Sequence, residues 1–270
     1  HTFNLGNKVL KGQRNPDERL KNVPFNFEGK TVLDIASGEG YGSHIMSAEA
    51  NHVYGVDIDS VAVKKASLKY KRNNLKFLQG STSKIPLEDN SIDVVISFET
   101  LEHHDKHEEM MKEVKRVLQP KGTLLISTPD KHYYSDLRNY NNEFHVKELY
   151  KDEFVNLVSK YFKNYKLYSQ SYINGSSVIL DDENRGSFKC FTGDFLKIET
   201  AISNPNFLIT IGSDYDIQKI DNSIFDGGKI IEKKVVDKTL KHVYDSNSYR
   251  LGSFILYPIK RLKRYFKQRN

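Results

Sequence analysis

Residues 32–43 read VLDIASGEGYGS. An apolar run of strand type ends on Asp34 and Ile35, passes through small residues, and meets Gly38, Gly40 and Gly42 before a helical stretch begins. Glycine lets a backbone turn sharply at positive φ and come close to a ligand with no Cβ in the way. A strand, a glycine-rich turn and a helix in that order open a βαβ unit, and the rest of the chain can be read outward from there.

To the C-terminal side the same alternation continues. Residues 52–57, HVYGVD, form a second strand, and Ser60 to Tyr70 an amphipathic helix with Ser60 as its N-cap. Residues 75–79 and 92–97 are the third and fourth strands. His107 to Leu118 is helical and is stopped by Pro120 and Gly122; 123–127 is a fifth strand ended by Pro129. Alternating strands and helices predict a parallel sheet covered on both faces, which binds ligands beyond the carboxyl ends of its strands. Asp57 closes strand two about 20 residues after the glycine turn, where a carboxylate accepts both hydroxyls of a ribose. Turn and carboxylate together point to an adenosine-containing cofactor; a nicotinamide dehydrogenase is the rival reading of the turn alone.

Beyond Pro129 the pattern loosens. Residues 131–144 are polar and rich in Tyr and Asn and read as a long loop of lid or binding type. Residues 151–161 are helical, 165–169 and 207–211 are strand candidates, 230–244 is helical, and 173–204 has no clear period. The expected organisation is an N-terminal lid or cap over residues 1–29, the α/β domain over 30–215 with an insert near 173–204, and a C-terminal helical region over 216–270.

Bulk properties narrow the class. The chain has 270 residues with 38% hydrophobic and 11% aromatic content, enough for a large packed core. Cys190 is the single cysteine, which excludes an intramolecular disulfide and a cysteine-rich zinc site and fits a reducing, cytoplasmic setting. No apolar run reaches the roughly 20 residues of a membrane span, and the opening residues, from His1, do not read as a signal peptide. The net charge of +6 is mild and concentrated near the end, so it does not demand nucleic acid.

Four stretches, VLDIASGEGYGS, VYGVDID, GSTSKIPLEDNSIDVVISFETLEH and RVLQPKGTLLISTP, resemble in order and spacing the successive motifs of class I S-adenosylmethionine-dependent methyltransferases over residues 30–129. The resemblance implies an α/β, Rossmann-like fold with a mostly parallel, seven-stranded sheet and a C-terminal elaboration. It implies S-adenosylmethionine as cofactor and S-adenosylhomocysteine as product. Asp34, Ala36, Gly38 and Gly40 would shape the pocket for the methionine end, Asp57 would hold the ribose, and Ile58 would pack on adenine. Ser81 and Thr82 stand where the family contacts the adenine edge, and Phe98 would lie near the cofactor. Two positions depart from the pattern: Ala36 replaces the usual first glycine, and Ser81 replaces an aspartate, a weaker partner.

Strand four empties onto SFETLEHH, residues 97–104. Glu99, Glu102 and His103 stand at i, i+3 and i+4, and share a face if the chain turns helical at Glu99. Two crowded carboxylates repel unless one is protonated or a cation sits between them. His145, in NEFHVKEL after strand five, returns over the same face. The E-x-x-E-H pattern with a later F-H segment resembles two metal-using branches of the family, one methylating the terminal ribose hydroxyl of small RNAs and one methylating phenolic hydroxyls in the ubiquinone pathway. By that resemblance Glu99, Glu102, His103 and His145 would hold a divalent ion, Mg²⁺ or Mn²⁺, with Glu102, His103 and His145 the catalytic set. The other reading is a metal-free pocket with His103 or His145 as base. His104 is expected at the surface, and His107 and His132 without a role.

The chain closes on SFILYPIKRLKRYFKQRN, a basic amphipathic helix suited to an anionic membrane surface. FHVKELYKDEF, NPNFLITIGSD and SYRLGSFILYPIKRLKR resemble methyltransferases encoded with bacterial surface-polysaccharide glycosyltransferases. This implies O-methylation of a sugar hydroxyl, or of a group attached to it, on a glycan or precursor at the inner membrane face; tyrosines between 133 and 140 would stack on the sugar. RNA 3′-terminal ribose methylation and a non-enzymatic cofactor-binding scaffold are the alternatives. The residues specify no oligomeric state.

Overall fold

The computed structural model describes residues 26–173, 176–182, 190–193, 197–201, 204–217 and 221–251. Residues 1–25 of the expected 1–29 lid, and the basic tail over 253–270, lie outside the described residues. Two compact units divide the chain, one of residues up to 173 with 177–225 and one of 174–176 with 226 onward.

The first unit is built on β1 (Thr31–Ile35), α1 (Tyr41–Met46), β2 (His52–Asp57), α2 (Ser60–Lys69), β3 (Leu75–Gln79) and β4 (Ile92–Phe98). It continues with α3 (His107–Val117), β5 (Leu118–Pro129), α4 (Lys151–Tyr161), β6 (Asn164–Ile173), β7 (Ser176–Asp181), β8 (Cys190–Gly193), β9 (Ile198–Ala201), β10 (Phe207–Ser213) and β11 (Ser223–Phe225). Nine strands form one sheet in the order β11-β7-β6-β10-β5-β4-β1-β2-β3. β3, β2, β1, β4 and β5 run parallel, and β10 lies antiparallel between β5 and β6. The expected seven strands are there as the run from β6 to β3, and β7 and β11 extend its edge. β8 and β9 pair as a separate ribbon, so the aperiodic stretch 173–204 contains strands too short to leave a period.

Strand alternation explains the two cores. Leu33 and Ile35 of β1 face α3 and α4, where Met110, Met111, Val114, Phe154 and Val158 are fully buried. Val32, with Val53, Val94 and Ile96, faces the other way onto Phe27, Met46 and Ala50. A strand covered on both faces is apolar at every position, which is why these strands read as unbroken runs. The loop between β3 and β4 is clamped by Arg116, which donates to the carbonyls of Leu87 and Ile85 and to Asp89 and Glu113.

Three local expectations need correction. The N-cap of α2 is Asp59, which accepts from the Val61 amide, and Ser60 is the first helical residue. The chain after β4 does not turn α-helical at Glu99: Glu99 takes a left-handed φ of 50°, and only a single 3₁₀ turn, Leu101–His103, follows. The loop after β5 begins with a π-helical turn, His132–Asp136, and its far end returns to the sheet through an Asp130–Leu149 bridge.

The second unit contains α5 (Gly228–Asp245). No helix among the described residues is long and apolar enough to cross a membrane.

Candidate active site

β1 ends on Ile35, and the next residues take the left-handed conformation at Ala36 (φ 58°), Gly38 (φ 54°) and Gly40 (φ 77°). The turn is fixed from below by Ser37 N–H on the Val56 carbonyl and from the side by Asp57, whose Oδ2 accepts from the Gly38 amide at 2.7 Å. Asp57 Oδ1 takes the Asp59 amide at 2.9 Å. The carboxylate therefore sits at the lip of the glycine turn, at the C-terminal end of β2. Next to it Ile58 is 73% exposed, an apolar side chain with an open face. Ala36 stands in a conformation that disfavours any Cβ by about 1–2 kcal/mol, so the substitution of the usual glycine is tolerated and strained.

Asp34 lies under the turn, 6% exposed, and accepts from Ser43 Oγ at 2.6 Å. Burial pushes its carboxyl up to about 6, against the hydrogen bond from Ser43. A carboxyl raised in the folded state contributes stability that is complete below pH 3.8 and is lost as pH rises through about 6. Asp34→Asn is expected to flatten that loss, with the protein gaining up to about 3 kcal/mol relative to wild type at pH 8 and nothing at pH 4. Thermal unfolding across that pH range checks it; parallel wild-type and variant profiles would refute it.

The second half of the site is the exit of β4. Phe98 is 9% exposed at its end. Glu99 is held down onto β5, where its amide meets Ser127 and Ser127 Oγ donates to Glu99 Oε1 at 2.7 Å. Glu102 is 1% exposed; its Oε2 has no hydrogen-bond partner, and its Oε1 is 3.8 Å from His103 Nε2. Burial, then the neighbouring Glu99, raises the Glu102 carboxyl well above its ordinary value, and burial brings Glu99 to about 7.

The two imidazoles are oriented by their Nδ1 atoms. His103 Nδ1 donates to the Phe144 carbonyl at 2.8 Å, and His145 Nδ1 donates to Glu148 Oε1 at 2.5 Å. Their rings meet edge to face at 5.2 Å. Each thus keeps its Nε2 lone pair for another partner; that of His145 accepts from Asn142 Nδ2 at 2.9 Å. Burial lowers the His103 pKa, so its ring is neutral at pH 7. The loop carrying His145 hangs on the main chain of the cluster, with the Val146 and Lys147 amides both on the Glu102 carbonyl.

Glu102, His103 and His145 place one donor atom each within 4.8 Å of one another. Ligands about 2.0–2.2 Å from one ion stand no more than about 4.4 Å apart, so small side-chain shifts would bring the three atoms around a divalent ion, and the unpartnered buried Glu102 Oε2 calls for a positive partner. An imidazole Nδ1–H tied to a carboxylate or carbonyl is also how ligating histidines are usually held. Glu99 stands apart from this triad with one oxygen committed to Ser127.

Other residues sit differently from their sequence reading. His104 is half-buried rather than a surface residue: its Nδ1 takes the Lys106 amide, its Nε2 is 3.4 Å from Thr82 Oγ1, and burial lowers its pKa to about 4. His107 is buried and donates through Nε2 to the Leu101 and His104 carbonyls, which fixes the 3₁₀ turn. Ser81 and Thr82 occupy the turn after β3, with Ser81 Oγ 3.3 Å from Ser83 Oγ. Ser127, Asn142 and Glu148 were not singled out from sequence; the spacing of Glu148, three after His145, was the available signal.

Beside His145 opens a cavity of about 630 Å³ lined by Lys131, Ser135, Asp136, Asn139, Tyr140, Asn141, Val146, Lys147 and Glu148. Its walls come from the loop after β5 and carry hydrogen-bonding groups almost throughout.

Comparison with known proteins decides the kind of site. Residues 33–126 match a family model described as a methyltransferase domain, which spans the glycine turn, Asp57 and the β4 exit. Residues 33–126 are thus similar to a methyltransferase domain, and the fold is of the class I methyltransferase type. A protein of Mycobacterium tuberculosis named a probable S-adenosylmethionine-dependent methyltransferase is 35% identical over 130 residues, covering 48% of this chain and 47% of the relative. A phthiotriol/phenolphthiotriol dimycocerosates methyltransferase of Mycobacterium ulcerans is 30% identical over 117 residues, covering 43% of this chain and 40% of the relative. The chain thus spans about half or less of the curated relatives' length, and the likeness lies in the methyltransferase domain. The structure of the YcgJ protein of Bacillus subtilis superposes with a TM-score of 0.53 at 19% identity over 74% of this chain and 99% of that one, a likeness of fold.

The methyltransferase domain fits the cofactor named for the relatives. Asp57 offers a carboxylate at the lip of the turn, Ile58 an exposed apolar face beside it, and the left-handed turn brings main chain rather than side chain to the opening.

Proposed function

We propose that the protein is an S-adenosylmethionine-dependent O-methyltransferase acting on a sugar hydroxyl, or a group attached to one, of a cell-surface glycan or its precursor, with Glu102, His103 and His145 holding a divalent ion such as Mg²⁺ or Mn²⁺. The observation that carries this reading is the polar cavity beside His145, whose lining suits a hydroxyl-rich acceptor better than an apolar one.

The cofactor, when bound, supplies a methyl group already activated on a sulfonium. Asp57 accepts the ribose hydroxyls, Ile58 covers the adenine face, and the main chain at 36–40 receives the methionine end. A divalent ion, when bound, lowers the pKa of the acceptor hydroxyl and fixes its position. Glu102, His103 and His145 would hold the ion through their ligand atoms and so set where the hydroxyl stands. Without an ion, His145 Nε2, on exchanging its hydrogen bond from Asn142 for the hydroxyl, is the group that accepts the proton, and Glu148, on Nδ1, stabilises the imidazolium that results. The basic, apolar-interleaved residues 259–269 favour work at an anionic membrane face.

Transfer of labelled methyl from S-adenosylmethionine to two pools, bacterial glycan precursors and small RNAs, each with and without chelator, tests the reading. Label is expected in the glycan pool, lost on chelation and restored by Mn²⁺ or Mg²⁺. Label that survives chelation moves the proton transfer to His145 alone. Label confined to RNA would replace the glycan reading with terminal ribose methylation.

A further inference from the structure

We infer that the cavity beside His145 selects an acceptor carrying an anionic group, a carboxylate or a phosphate, and that Lys131 and Lys147 are the residues that read it. The inference rests on the reading that this cavity takes the acceptor.

Both lysines line the cavity, one from each end of the loop after β5. Among the described residues neither ammonium has a carboxylate partner, whereas Lys115, Lys151 and Lys160 each have one. Lys131 Nζ is instead 4.6 Å above the Tyr150 ring, which holds the side chain in place and leaves its hydrogens for a ligand. The two carboxylates in the lining are differently engaged. Glu148 is turned inward, 8% exposed, and spends an oxygen on His145. Asp136 takes the Tyr150 hydroxyl at 3.1 Å. Formal charges in the lining balance; among the described residues Asp136 has no ion-pair partner either, but its carboxylate is engaged by the Tyr150 hydroxyl, whereas neither ammonium has a carboxylate. Ser135 Oγ adds a buried hydroxyl with no partner in the same wall. An anion entering here meets two ammoniums without displacing an internal ion pair, and a hydroxyl otherwise unsatisfied.

The anchoring of the loop supports the same assignment. Lys131 N–H is bound to the Leu149 carbonyl and Lys147 N–H to the Glu102 carbonyl, so both lysine backbones are fixed to the sheet and to the cluster. The main chain from which each ammonium reaches is therefore held in place beside His145. An acceptor gripped through its charge presents a hydroxyl at one place, which makes the charge a device for choosing the methylated position.

The test compares glucose, glucuronic acid and glucose 1-phosphate as probes by calorimetry on the full chain with S-adenosylhomocysteine present, for wild type and for Lys131→Gln/Lys147→Gln. Wild type is expected to bind at least one anionic probe about tenfold or more tighter than glucose. The double variant is expected to lose that preference and its salt dependence, while binding glucose and S-adenosylhomocysteine as wild type does. The two anionic arms separate carboxylate from phosphate recognition. Equal affinity for all three probes, no binding of either anion up to about 10 mM, or an anion preference that survives in the double variant would overturn the inference. Failure of the wild type to transfer methyl to any acceptor would instead sink the proposed activity, since neither lysine touches the cofactor turn.

Discussion

Glu102→Gln is expected to lower kcat by about two to four orders of magnitude and to weaken divalent-ion binding, while leaving S-adenosylhomocysteine binding unchanged and the apo protein no less stable. The side chain is 1% exposed with an unpartnered oxygen, and it faces two imidazole nitrogens. Glutamine keeps the shape and removes the charge. If Glu102 served only the fold, its loss would destabilise. Here it stands beside a like-charged neighbour and carries a desolvation penalty, so its neutralisation relieves the apo protein. The sign follows from the raised carboxyls: with no ion, the stability they contribute is whole below pH 4.5 and is lost as pH climbs, through about 7 for Glu99 and through the raised range of Glu102. A bound divalent ion reverses that slope in wild type and not in the variant. Calorimetry with Mn²⁺, unfolding midpoints at pH 6 and 8, and turnover give three independent readings. Retained turnover in Glu102→Gln would remove Glu102 from the chemistry.

Gly40→Ala is expected to destabilise the protein by roughly 2–5 kcal/mol, with loss of cofactor binding at temperatures where wild type binds. Two separate penalties add. The backbone there has φ +77°, and a Cβ would stand 2.5 Å from the Phe77 ring and 2.7 Å from Ala66 Cβ. Phe77 comes from β3 and Ala66 from α2, so the new methyl would push apart two elements that both pack on the turn. Gly29 separates the two penalties, because it has φ +71° with nothing within 4 Å. Gly29→Ala is expected to show the backbone part alone, about 1–2 kcal/mol. Urea midpoints at unchanged slope measure both. Equal effects at the two positions would show that the Phe77 side has room to move.

The sheet was legible because its central strands are covered on both faces and therefore announce themselves as apolar runs. The boundaries were less so. Asp59 and Ser60 are both good caps, and only the extended backbone at Asp59 decides between them. The spacing of Glu99, Glu102 and His103 invited an α-helix, yet the Glu99 amide is claimed by Ser127 across the sheet. That contact depends on the register that sets Phe98 against Ser127, which no local pattern encodes. So Glu102, His103 and His145, named together from the sequence, do stand near one another, while Glu99, drawn toward β5, stands apart from them. β7 and β11 escaped notice because strands of six and three residues carry little periodicity. His107 illustrates the opposite error: it was given no part, and it is the strut of the turn that presents Glu102 and His103.

On the function proposed above, the paired amides of Val146 and Lys147 on the Glu102 carbonyl, at 2.7 and 3.1 Å, would tie acceptor binding and ion binding into one thermodynamic cycle. A ligand that orders the loop also orders the main chain of the residue that faces the ion, and the ion does the same in return. Linkage requires the two to help each other by an equal factor, whichever arrives first. Cooperativity between acceptor and ion is then a property of two hydrogen bonds on a single oxygen, carried over one peptide unit rather than through a change of fold.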